Sequence, residues 1–361
     1  MKITTTSIPT TAGRPHPPGG TPAIVCRAAD MLDGMTVEYV SVADISDAAR
    51  NSRRRTATRH EFAAIERALR SHPEFTAPEV QHVDGAAVLR PNNPVAAWMF
   101  ADKPALRSWR THLVPSAKAL TALYDAESWR LPTGGPIDSA SRDYFIHAPD
   151  AIAIRTRAAI MSAIAARHTA PTGTTRWTSL ACGAAIPVFQ ALDGPQCGDV
   201  DVTLVDLDEA ALDHAAELAA ARGFRTGTDF RLLQRHLIHD LIASARLVDE
   251  LGAESQDFVD MLGIFEYIPD RFGELMSAAV FLQHALRLVK PGGALVAANM
   301  LDTHPQLNFN QRAIGWPRIF PRAKTQLLQI LTDAGVAPQQ VTMTIADDGI
   351  YAVLEIRKPR R

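Results

Sequence analysis

Thr178-Ser-Leu-Ala-Cys-Gly-Ala-Ala-Ile-Pro-Val188, read with Val202-Thr-Leu-Val-Asp-Leu-Asp208, decides the fold. The first run is a short apolar strand that enters a tight turn of small residues, Ala181 to Ala185. The second is another apolar strand, Val202 to Val205, ending in the carboxylate of Asp206. Strand, small-residue turn, helix and acid-tipped strand make a nucleotide-type βαβ unit. Small side chains let the backbone approach a ligand, and a carboxylate at the strand end accepts hydrogen bonds from two ribose hydroxyls.

Two later stretches extend the pattern. Gln256-Asp-Phe-Val-Asp-Met-Leu-Gly-Ile-Phe-Glu-Tyr-Ile268 is a strand followed by a loop of polar and aromatic residues. Leu288-Val-Lys-Pro-Gly-Gly-Ala-Leu-Val-Ala-Ala298 is a helix end, a Pro-Gly-Gly turn and another buried strand. In this order and spacing the four stretches resemble the class I S-adenosylmethionine-dependent methyltransferases, over roughly residues 143–356. The run Asp143-Tyr-Phe-Ile-His-Ala-Pro-Asp150, continued by Ala-Ile-Ala-Ile-Arg155, is similar to a bacterial small-molecule subgroup, in which this segment closes over the cofactor.

The resemblance implies a cofactor site. Its first motif expects an acid and up to three glycines; here the acid's place falls at Ser179 and the outer glycine places at Ala181 and Ala185, leaving Gly183. Asp206 matches the ribose-binding acid and Leu207 the residue packed on adenine. Leu262 and Gly263 match backbone contacts near the methionine portion. His236, with Leu237, takes the place of an acid near the adenine amino group, and is either an adenine-edge contact or a plain loop residue. Tyr144 belongs to the closing segment. Arg155 either pairs with the cofactor carboxylate, whose two oxygens suit the guanidinium fork, or serves as a surface salt-bridge partner. Asp208, before Glu209-Ala-Ala-Leu212, is expected to cap a helix.

Composition narrows the function. With 37 basic and 39 acidic residues the formal charge is −2, which gives no footprint for nucleic acid. The basic run Arg53-Arg-Arg-Thr-Ala-Thr-Arg59 reads as a solvated face. Cys26, Cys182 and Cys197 make neither a disulfide framework nor a metal-ligand spacing, so no metal is expected. Cys182 sits where the turn wants a small residue. There is no apolar leader and no run long enough for a membrane span, so a cytoplasmic enzyme is expected. A homodimer is compatible with the sequence.

The chain is long enough for two cores. Residues 1–20, rich in Thr, Pro and Gly, read as a disordered tail. From 21 to 135 the apolar positions recur at helical spacing, which predicts a helical lid or substrate domain ending at Leu131-Pro-Thr-Gly-Gly-Pro136. Trp98, Trp109 and Trp129 are expected to fill its core, with Trp98 the alternative candidate for a substrate cleft. Residues 136–361 then alternate strands and helices, predicting a doubly wound, Rossmann-like, mostly parallel α/β sheet. Val341–Ile345 and Tyr351–Ile356 are expected to close it as an antiparallel hairpin at the sheet edge.

A sulfonium methyl group is already electrophilic, so the protein has to align the acceptor, exclude water and, for a protonated acceptor, supply a base. The loops after the fourth and fifth strands of the alternation carry Glu266, Tyr267 and His304, with Asp302 and Trp316 nearby. His304-Pro305 followed by Asn308 echoes the subgroup; His304 is a substrate or base residue, or else a loop histidine in solvent. The expected function is methyl transfer from S-adenosyl-L-methionine to N, O or an activated carbon of a small molecule, in specialised metabolism. The alternatives are aminocarboxypropyl transfer or cyclisation releasing methylthioadenosine, and a non-catalytic binding protein on the same fold.

Overall fold

The computed structural model describes residues 24–43, 52–125, 128–169, 173–193, 199–227, 229–271 and 277–360, so the expected tail at 1–20 lies outside the described residues. The chain opens with β1 (Ile24–Leu32) and β2 (Met35–Val42), then α1 (Ser52–Ser71), β3 (Glu79–Val83) and β4 (Ala86–Arg90). Helices α2 (Pro94–Phe100), α3 (Pro104–His112), α4 (Ala117–Tyr124), α5 (Ser139–His147) and α6 (Pro149–His168) follow. The alternating part runs β5 (Thr174–Leu180), α7 (Ile186–Leu192), β6 (Asp199–Asp206), α8 (Glu209–Ala221) and β7 (Phe230–Gln234). It continues through α9 (Arg246–Leu251), β8 (Gln256–Met261), α10 (Ala278–Leu286), β9 (Val289–Met300), α11 (Lys324–Asp333), β10 (Val341–Ala346) and β11 (Tyr351–Arg357).

Nine strands form one sheet in the order β1-β2-β10-β11-β9-β8-β5-β6-β7. The pairs from β9 to β7 are parallel, and β11 runs antiparallel to both β9 and β10. The parallel strands read as continuous apolar runs because both their faces are covered. Trp177, Leu204 and Phe258 enter one core with α6, α7 and α8; Leu180, Val205 and Val259 enter the other with α9, α10 and α11. That alternation is the doubly wound arrangement. At the start of β9, a side chain on Gly293 would stand 2.7 Å from the Asp257 carbonyl, so only glycine lets these backbones meet.

Several expectations need correction. Segment 21–135 is not all helical: β1 and β2 form a hairpin around Asp33-Gly34, and β2 pairs in parallel with β10. The C-terminal hairpin is therefore interior, and β1 holds the sheet edge. The helices of that segment share one core with the sheet, through α6. This 20-residue helix is buried on nearly every side, as a helix apolar all round must be. Between β7 and β8 the helical segment divides into a π-helical turn, Ile238–Ala243, and α9, because Ala245 takes a left-handed backbone. Trp109 is buried as expected, but Trp98 and Trp129 are half exposed beneath Lys103 and Arg142.

Candidate active site

A cleft of about 380 Å³ lies past the C-terminal ends of β5, β6 and β8, where the strand order reverses on either side of β5. Open α/β sheets bind ligands at this point, and the volume is on the scale of small-molecule sites. Its floor is the turn after β5. Ala181, Gly183 and Ala185 all have left-handed backbones, with φ of 50°, 55° and 52°. Two alanines thus hold conformations that favour glycine, at a cost of about 1–2 kcal/mol each. The Gly183 amide donates to Asp206 Oδ2 (2.8 Å), and the Asp208 amide to Asp206 Oδ1 (3.0 Å). Asp206 is thereby fixed at the lip of the turn. Asp208 caps α8 through the Ala210 amide, as expected. Above the turn, a Cβ on Gly183 would meet the Ala117 side chain at 3.2 Å, so α4 roofs the cleft closely. Burial pushes the Cys182 thiol up, with Asp206 and Asp260 adding to the effect, which leaves it a filler rather than a nucleophile.

Sequence reasoning missed Asp260, a buried acid in the cleft wall. Ser179 and Asp260 sit opposite each other in the β5–β8 register. The Ser179 hydroxyl donates to Asp260 Oδ1 (2.9 Å) and the Trp177 indole N–H to Oδ2 (2.6 Å). Burial pushes this carboxyl up to about 7 even though both donors oppose the shift.

The arginine facing the cleft is Arg157, two residues beyond the expected one. Arg155 points the other way and donates to the carbonyls of Leu123, Phe145 and Ile146. Arg157 donates to the Leu262 carbonyl (3.0 Å) and the Tyr124 hydroxyl (3.3 Å), lies 3.8 Å from Glu266, and covers the Tyr351 ring. Burial works against its charge, but Tyr351, Tyr124 and Glu266 hold its pKa above the ordinary value. The ε-nitrogen has no hydrogen-bond partner among the described residues.

Arg157, Gly263, Tyr267, Trp316 and Leu120 line both this cleft and a second, inner chamber of about 70 Å³. The chamber is walled by aromatic side chains, Trp109, Tyr144 and Tyr351 among them, and holds Asp150 and Glu266. Glu266 is buried, and its Oε2 has no hydrogen-bond partner among the described residues. Burial pushes its carboxyl up to about 7 against the pull of Arg157. The Tyr267 hydroxyl accepts from the Trp316 indole (2.6 Å), and burial raises its pKa. A buried carboxyl with a spare oxygen beside a tyrosine is equipped to take a proton.

Of the remaining expected site residues, Ala181, Gly183, Asp206, Leu262 and Gly263 line the cleft, whereas Tyr144 lines the chamber and not the cleft. His304 lines neither space. It is fully buried, with Nε2 2.6 Å from Asp150 Oδ1 and Nδ1 accepting from the Gln306 amide (2.8 Å). Burial opposes its charge, but Asp150 holds its pKa above the ordinary value. It therefore orients Asp150 from behind the wall and stands far from the solvent that the loop alternative implied. Leu207 is exposed beside Asp206 and does not line the cleft. His236 is exposed and bonded within its own turn, its amide donating to Asp240, and Leu237 packs into the core; neither lines the cleft. No metal-binding group of His, Cys, Asp or Glu occurs among the described residues, and no described helix is long and apolar enough to cross a membrane.

No family model and no curated protein matches the chain. Solved structures do. The chain is similar to a possible exported protein from Bordetella parapertussis, with a TM-score of 0.57 and 18% identity over 88% of this chain and 100% of that one. It is similar to the CMeT domain of the citrinin polyketide synthase, with a TM-score of 0.46 and 15% identity over 84% and 79% of the two chains. It is also similar to an O-methyltransferase family protein from Burkholderia thailandensis, with a TM-score of 0.42 and 17% identity over 81% and 82%. At such identities the likeness is one of fold. The strand order and the cleft at the sheet's reversal point are those of an open, doubly wound α/β sheet, a fold that takes ligands at its strand ends.

Proposed function

We propose that the cleft binds S-adenosylmethionine and that the inner chamber holds a small-molecule acceptor of its methyl group. The observation that carries this reading is the shared wall of Arg157, Gly263, Tyr267 and Trp316 between the two spaces. The donor set fits the cofactor: a carboxylate at a small-residue turn for the ribose and a guanidinium for the methionine carboxylate. In this role Arg157 replaces Arg155. When bound, the cofactor supplies a methyl group that needs no further activation.

The rest falls to the chain's own residues. Helices α3, α4 and α5 form the cover that excludes water and selects the acceptor, and the small, aromatic-walled chamber suits a small molecule rather than a polymer. Glu266 accepts the proton an N–H or O–H acceptor loses as its new bond to carbon forms; Tyr267 orients that acceptor at the shared wall. Asp150, held by His304, fixes the chamber's inner end. We place the reaction in specialised small-molecule metabolism and in the cytoplasm, where the free thiols of Cys26 and Cys182 stay reduced.

Calorimetric titration with S-adenosylmethionine tests this reading, with mass analysis of the mixture. Asp206→Ala is expected to weaken binding by about 1.5–3 kcal/mol, the scale of charge-assisted hydrogen bonds. Unchanged affinity in the folded variant removes Asp206 from the site. Methylthioadenosine in place of S-adenosylhomocysteine moves the chemistry to aminocarboxypropyl transfer or cyclisation. No binding at all leaves a non-catalytic protein on this fold.

A further inference from the structure

We infer that Asp260 receives the ammonium group of the cofactor's amino-acid arm, supplying from β8 the acid that β5 lacks at Ser179. The inference rests on the cofactor cleft proposed above. Among the described residues lining that cleft, the carboxylates are Asp206, Asp208 and Asp260, and the one guanidinium is Arg157. Asp208 is spent on capping α8. Two acids and one arginine remain, against a ligand with a sulfonium, an ammonium and a carboxylate.

Position separates the two acids. Asp206 ends β6 and Asp260 stands near the end of β8, with β5 between them. Two strand spacings put the chains about 10 Å apart, so one acid serves each end of an extended nucleoside–amino-acid ligand. Asp260 shares its end with Arg157, which is anchored on the Leu262 carbonyl two residues further along the chain. Ammonium and carboxylate on one carbon would thus meet an acid and a guanidinium at the same strand end.

Asp260 also has capacity to spare. A carboxylate offers about four acceptor sites, and Ser179 and Trp177 take one each. Both donors are neutral, so neither satisfies the charge. A buried carboxylate with hydrogen bonds but no countercharge is costly, and a cation delivered by the ligand removes that cost. Ser179 is then the positioning residue and Asp260 the binding residue, an exchange of roles across one register pair.

The test is calorimetric titration of the full chain with S-adenosylhomocysteine, which carries the ammonium, and methylthioadenosine, which lacks the whole arm. Asp260→Asn is expected to weaken the first at least tenfold and the second less than twofold. The double variant Ser179→Asp with Asp260→Ser returns the acid to β5 and is expected to bind S-adenosylhomocysteine within threefold of the wild type. Equal losses for both ligands, or none for either, would overturn the inference and leave Asp260 a scaffold for Trp177 and Ser179. If Asp260→Asn does not fold, the double variant decides alone: S-adenosylhomocysteine bound within threefold of the wild type supports the inference, and a loss of tenfold or more for that ligand with methylthioadenosine unaffected overturns it. A wild-type protein that binds neither ligand overturns the cofactor cleft itself, a result distinct from a failure of Asp260.

Discussion

Gly183→Ala isolates what the turn beneath the cleft requires. Gly183 has φ of 55°, a region that costs an alanine about 1–2 kcal/mol. Against this, alanine restricts the unfolded chain and returns about 0.4–1 kcal/mol. The backbone term nets roughly 0.5–1 kcal/mol. The new Cβ would also stand 3.2 Å from the Ala117 side chain at the start of α4, and overpacking of this mild kind costs about 1 kcal/mol. Together they predict a destabilisation of about 1.5–2 kcal/mol, measurable by urea unfolding with an unchanged m-value. The two parts separate in a double-mutant cycle with Ala117→Gly, where the coupling should be about 1 kcal/mol. Ala181 and Ala185 already hold left-handed backbones in the same turn, so its shape should survive. Gly183→Ala at wild-type stability, or zero coupling to Ala117, would refute both the strain and the close roof of α4.

Other predictions concern the charged groups. Glu266→Gln should lower turnover at least tenfold at saturating cofactor while leaving cofactor affinity within twofold. Only the ionised carboxyl takes a proton, so the wild-type rate should rise with pH through about 7 and Glu266→Gln should lose that limb; a flat wild-type profile would count against Glu266 as the base. Arg157→Met should abolish measurable cofactor binding and cost about 3–5 kcal/mol, since it leaves Glu266 buried without its counter-charge. Arg155→Met should cost stability alone, by orphaning three carbonyls, with cofactor affinity within twofold; equal affinity losses for the two variants would contradict their separation. Burial alone would raise the Glu355 pKa, but donors from His168, Arg357 and Arg167 hold it at about 2, below its ordinary 4.5. A depressed carboxyl contributes stability above 4.5 that is lost as pH falls toward 2. Thermal melts should show that acid limb shrink in Glu355→Gln, and an unchanged limb would refute the assignment.

What was legible in the chain follows from what local pattern carries. The strands after residue 173 announce themselves as apolar runs between turn residues, because their neighbours bury both faces. Asp206 is legible because it ends such a run. The N-terminal hairpin was missed although its signals are local: Asp33-Gly34 and Asp84-Gly85 both adopt the paired left-handed turn, and Met35–Val42 alternates buried and partly exposed residues. Its attachment to β10 is a contact between distant segments and has no local trace. Arg155 and Arg157 differ by about 200° around a helix axis. Because α6 is buried all round, no polar stripe tells which of its faces meets the cleft. Asp260 was illegible for a related reason, since its meaning lies in the register that sets it opposite Ser179. His304 looked like a base from residue type and loop position, but pairing with Asp150 is a tertiary contact between α6 and the loop after β9.

The most direct measurement is a crystal structure of the full chain with S-adenosylhomocysteine. The account predicts the ribose hydroxyls on Asp206, the amino-acid carboxylate on Arg157, and the sulfur at the wall of Gly263 and Tyr267, facing the chamber of Glu266. A ligand bound elsewhere, or in the cleft with its sulfur turned away from that wall, would contradict it.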